Sequence, residues 1–118
     1  MEWSRAVVDV TIGYENDSPA VIASLAEEAA SMYADPQWAE VMLEPPEVQG
    51  VQAMGTDGVA IRVIAKTAPR KQWDVARELR SRITDRMRRD GVRGPGRTVM
   101  VSAGLLDAGP PPPAPTQP

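Results

Sequence analysis

The chain contains neither cysteine nor histidine. Without thiols it forms no disulfide, no thiolate metal site and no thiol nucleophile, a composition compatible with a reducing cytosol. Without imidazole it lacks Ser-His-Asp hydrolysis, the usual zinc sites and the side chain that titrates most readily near neutrality. Long apolar runs are also missing. No stretch approaches the roughly 18–20 residues that cross a bilayer, and residues 1–10 lack the layout of a signal peptide. Carboxylate, lysine or tyrosine chemistry remains, but no convergent group of such residues is visible. The expectation is therefore a module that is not an enzyme and carries no cofactor or metal.

What is present is ordinary for a globular protein. Hydrophobic residues make up 42% and charged residues 25% of 118 residues, enough for one core. Charge is distributed unevenly. Residues 1–61 hold 11 acids and 1 base, whereas residues 62–118 hold 12 bases and 5 acids. A split of this kind points to a nucleic-acid surface, an acidic partner, or unlike faces meeting between identical subunits.

Period-2 alternation of Ala6, Val8, Val10 and Ile12 with Val7, Asp9, Thr11 and Gly13 predicts a strand over Arg5 to Tyr14 with one buried face. Glu15 to Pro19 reads as a turn and helix start, with Ser18 as cap and Pro19 at the first helical position. A helical stripe of Val21, Ile22, Leu25, Ala29, Met32 and Tyr33 follows. Asp35 to Pro46, rich in proline, predicts an irregular connection with one helical turn near Trp38 to Met42. Val48–Met54 and Val59–Thr67 predict an antiparallel hairpin closed by the Asp57-Gly58 pair. Val75, Ala76, Leu79, Ile83 and Met87 define a second helix over Gln72 to Asp90, stopped by Gly91, and Thr98–Ser102 reads as a short last strand. The order β, α, β, β, α, β predicts an α+β, ferredoxin-like βαββαβ sandwich: a four-stranded antiparallel sheet with two helices on one face. It occupies residues 1–104, and residues 105–118 form a Pro-rich disordered tail.

Several local patterns carry less than they suggest. Glu15, Asn16 and Asp17 lack the alternation of a calcium loop and read as a turn and cap. Gly94, Pro95 and Gly96 lack the Lys and Ser or Thr of a phosphate loop. Glu27 and Glu28 point about 100° apart on a helix and read as surface charge rather than an acid–base pair. Trp3, Trp38 and Trp73 lie on separate elements, which disfavours a base-stacking platform. The arginines of the second helix are interleaved with Asp74, Glu78 and Asp85 at pairing distance, and the pI is near 4.9, so no nucleic-acid partner is expected.

Trp3, Ser4 and Arg5, the alternating strand to Tyr14 and Asp17, Pro46 and Val48, the strand around Gly58 to Val63, and the helix Val75 to Met87 followed by Asp90, Gly91 and Val92 together resemble the cytosolic C-terminal α/β domain of small-conductance mechanosensitive (MscS-type) channels. The resemblance covers roughly residues 3–101. Where that family has Gly-Ile and then a Pro-aromatic-Pro exit, this chain has Gly91, Val92, Arg93, Gly94, Pro95, Gly96 and Arg97. The resemblance implies a cage and assembly domain on the cytoplasmic side of the cell membrane. It would belong to a homo-oligomeric, heptameric channel that releases solutes on osmotic downshock and meets the membrane only through spans outside this chain. With Leu79 and Ile83 facing the core, Lys71, Arg82 and Arg89 fall along one flank of the second helix, the predicted subunit contact.

Overall fold

The computed structural model describes residues 2–55, 58–94 and 100–107. Its elements run β1 (Ser4–Ile12), α1 (Ser18–Ala34), α2 (Pro36–Ala39), β2 (Glu47–Met54), β3 (Val59–Thr67), α3 (Gln72–Asp90) and β4 (Met100–Asp107). Every strand pairing is antiparallel, in the order β2-β3-β1-β4, so the chain is α+β with an antiparallel sheet backed by helices.

Alternation decides which face of the sheet is buried. Ala6, Val8, Val10 and Ile12 on β1, and Ile61, Val63 and Ala65 on β3, are 0% exposed. They join Val21, Leu25 and Met32 of α1 and Val75, Leu79, Ile83 and Met87 of α3 in one cluster. Each fully buried large aliphatic side chain contributes about 1.5–3 kcal/mol by leaving water. Both long helices therefore lie on the same face. Ile22 and Tyr33, predicted in the α1 stripe, pack at its margin, half-buried.

The element ends depart from the sequence expectations for local reasons. β1 stops at Ile12 instead of Tyr14 because the Gly13 amide turns away to donate to the Arg93 carbonyl at 2.8 Å. Asp17, not Ser18, caps α1, its carboxylate accepting from the Ala20 amide, and Ser18 is the first helical residue. α2 begins at Pro36, capped by Asp35, which accepts from the Gln37 amide at 3.0 Å. Past it, Met42 bridges to Thr67 and enters the core. α3 matches its expected bounds. Gly91, at φ 70°, closes it by donating to the Met87 and Arg88 carbonyls, the left-handed stop that glycine adopts without strain.

β2 is the irregular edge: its pairing with β3 shifts register twice between Val48 and Ala53, around Gly50 at φ 78°. β4 was expected over Thr98–Ser102. It runs Met100–Asp107 instead, with Ser4 opposite Asp107, so the strand continues three residues into the predicted tail. Thr56 and Asp57 of the hairpin turn, residues 95–99 and residues 108–118 lie outside the described residues.

A Cβ at Gly58 would fall 2.2 Å from the Ile12 carbonyl oxygen, whereas one at Gly55 would meet nothing within 4 Å. Gly58→Ala is expected to destabilise by roughly 1–3 kcal/mol through backbone displacement, and Gly55→Ala to stay within about 0.5 kcal/mol. Urea unfolding of the two variants checks this; equal midpoints would show that β1 and the hairpin do not approach so closely.

Candidate interface on the charged helix face

α3 is two-sided by composition: its apolar stripe is buried, and its remaining positions are mostly charged, with arginines outnumbering acids. Arg77 and Arg88 point outward with side chains 79% and 73% exposed, each paired among the described residues to an acid one turn away on α3. Between the stripe and this outer ridge lie the residues that reach α1.

Arg86 is the centre of that contact. Its guanidinium donates to Glu27 at 2.7 Å, Glu28 at 3.1 Å, Asp90 at 2.8 Å and the Ser24 hydroxyl at 3.3 Å. Ser24 in turn donates to Asp90 at 2.9 Å. Glu27 and Glu28, expected as separate surface charges, thus converge on one arginine, which spans the angle between them with different nitrogens. Hydrogen bonds to Glu27, then Asp90 and Glu28, raise the Arg86 pKa further above its ordinary value. Hydrogen bonds from Arg86, then Ser24, hold the Asp90 carboxyl below its ordinary value. On the opposite face of the sheet Asp9 and Arg62, directly paired in register, form a two-pronged bridge at 2.8 and 3.1 Å, and this pairing raises the Arg62 pKa.

The flank predicted from Lys71, Arg82 and Arg89 separates into unlike parts. Lys71 occupies the N-cap position of α3, gives no side-chain cap, and lines a groove with Trp38 and Asp74; it has no ion pair among the described residues. Arg82 is held inside the subunit, bonding Glu78 at 2.8 Å and Asp35 at 3.3 Å with its side chain 22% exposed. Arg89 reaches Glu28 at 3.3 Å but stays 66% exposed. Arg82 and Arg89 share a shallow depression with Glu28 and Asp85, away from the residues around Lys71. Much of the basic charge of α3 is therefore answered by acids of the same chain.

One polar hub was not foreseen. The Asn16 side chain donates to the Gly13 and Arg93 carbonyls and accepts from the Arg93 amide, and the Tyr14 hydroxyl donates to the Gly55 carbonyl. The β1–α1 turn thereby fastens both the exit from α3 and the β2–β3 hairpin. Its sequence signal was an Asn between Glu and Asp, which reads equally well as an ordinary turn.

Because the Asp90 pKa is lowered on folding, its contribution is complete above the ordinary carboxylate value and is lost as pH falls from there through the lowered value of the folded chain. Unfolding free energy is thus expected to decline as pH drops below about 5, and Arg86→Gln should flatten that decline. Denaturant titrations across the range check it; identical slopes for parent and variant would remove the network from the acid response.

Among the described residues no helix is long and apolar enough to cross a membrane, and no group of three or more acidic residues is placed to hold a metal ion. A search among curated proteins finds no match. A family profile described as mechanosensitive ion channel MscS, C-terminal, matches residues 6–93. That span starts inside β1 and ends at Arg93, where the Asn16 hub ties the exit segment back to the sheet. With well over half of its length so matched, the chain belongs to the family of C-terminal domains of MscS mechanosensitive ion channels, a channel-domain family and not an enzyme family.

Proposed function

We propose that the chain is the cage and assembly domain of a mechanosensitive channel that releases solutes on osmotic downshock, working on the cytoplasmic side of the membrane in a homo-oligomeric ring. The family match over residues 6–93 carries this reading. The strand order β2-β3-β1-β4 with α1 and α3 on one face supports a ferredoxin-like βαββαβ sandwich, a rigid block suited to stacking around an axis. A ring, heptameric by the family resemblance, needs two unlike surfaces that meet head to tail. The outer ridge of α3 offers the basic one. Glu15, Asp17 and Glu40 of the first half are exposed and offer the other.

Lys71 and Arg89 are the better-placed members of the predicted contact set. Arg82 is a weaker one, because reversing its charge would first set Glu78 and Asp35 against it inside the subunit. Each exposed pair contributes at most about 1 kcal/mol and weakens with salt, so the effect belongs in self-association, not folding. Lys71→Glu with Arg89→Glu is expected to weaken association of the chain in sedimentation velocity at low salt, with the parent falling to the same level at high salt. Association unchanged by both salt and charge reversal would assign these residues to solvated surface.

A further inference from the structure

The turn between β1 and α1 is closed on itself. The Gly13 carbonyl accepts from the Asn16 amide at 3.2 Å and from the Asn16 side-chain nitrogen at 2.9 Å. The Glu15 carboxylate lies over Gly13, where an added Cβ would fall 2.2 Å from its Oε1. This turn grips the chain leaving α3 by the backbone of Arg93. The Arg93 carbonyl accepts from the Gly13 amide at 2.8 Å and from the Asn16 side chain, and the Arg93 amide donates to Asn16 Oδ1 at 3.0 Å.

The same turn meets the β2–β3 hairpin on both of its strands. At the end of β2 the Tyr14 hydroxyl donates to the Gly55 carbonyl. At the start of β3 Gly58 approaches so closely that a Cβ there would fall 2.2 Å from the Ile12 carbonyl oxygen and 3.5 Å from the Gly13 Cα. Between these two contacts the hairpin is closed by the Gly55 amide, which donates to the Gly58 carbonyl at 2.9 Å. Tyr14 is 52% exposed and Met54, next to Gly55, 70%, so the hairpin side of the arrangement is open to solvent.

Both sets of contacts need Tyr14 and Asn16 held in one conformation, and ordering a short turn carries an entropic cost. When either contact has ordered the turn, the other forms on a segment that is already fixed, which couples the two without any direct bond between the hairpin and Arg93.

We propose that Gly13–Asn16 is a shared latch through which the hairpin and the exit from α3 hold or release together. A neighbour that displaces the hairpin then loosens the grip on the chain leaving α3, and a pull on that chain is felt at the hairpin.

Amide hydrogen exchange in the full chain tests this, with the rates at Gly55 and Arg93 compared between the parent, Tyr14→Phe and Asn16→Ala. Tyr14→Phe removes only the hydroxyl at the hairpin, yet exchange at Arg93 is expected to rise about two- to tenfold, the range that loss of one hydrogen bond produces. Asn16→Ala leaves Tyr14 in place and is expected to accelerate Gly55 by a similar factor, because coupling between two sites is reciprocal. An unchanged rate at Arg93 in the first variant, or at Gly55 in the second, overturns the proposal. So does acceleration shared equally by the amides of Val8 in β1 and Leu79 in α3, since the contacts would then be lost only with the whole fold.

Discussion

β1 is hydrogen-bonded along both edges, to β3 and to β4, and on its helix-facing side Ala6, Val8, Val10 and Ile12 have no exposed surface. An interior strand has no freedom of register: a slip by one residue would carry these side chains to the other face and bring Asp9 and Thr11 into the core. The placement of everything else follows from this strand. β3 lies against it over nine residues, α1 and α3 close over its buried face, and the turn that follows it carries Asn16 and Tyr14 to their partners.

Over that apolar foundation, polar contacts do a different task. Arg86 links α1 to α3, Arg82 links α3 to the start of α2 through Asp35, and Asn16 links β1 to the chain beyond α3. None of these groups is deeply buried, so none rivals the core in energy. Their effect is on position: they tie the helices to one another and set the direction in which the chain leaves α3.

The charge asymmetry between the two halves has a corresponding double use. Part of it is consumed inside the subunit, where Glu27 and Glu28 answer Arg86 and Arg89, and the rest is displayed as an outer arginine ridge and as exposed acids elsewhere. The sum along the sequence could not divide these portions, because it contains no information about which acids and bases fold within reach of one another.

The sequence by itself determined the elements whose signal is local. Alternation named the buried face of β1, the 3.6-residue stripe and Gly91 set α3 at Gln72–Asp90, and the hairpin partners β2 and β3 followed from their proximity in the chain. Ends capped by competing residues were less legible, as with Asp17 beside Ser18, since both can accept a backbone hydrogen bond and only the backbone angle chooses between them. The tertiary structure alone decided the contacts between distant residues. Glu27 meets Arg86 across 59 positions and Asn16 meets Arg93 across 77, and such pairs depend on how two helices pack and where a strand ends. Periodicity states which way a side chain faces on its own element; it does not state what stands opposite, and for that reason the Glu78–Arg82 pair within α3 was legible while the Asp35 contact of Arg82, 47 positions away, was not.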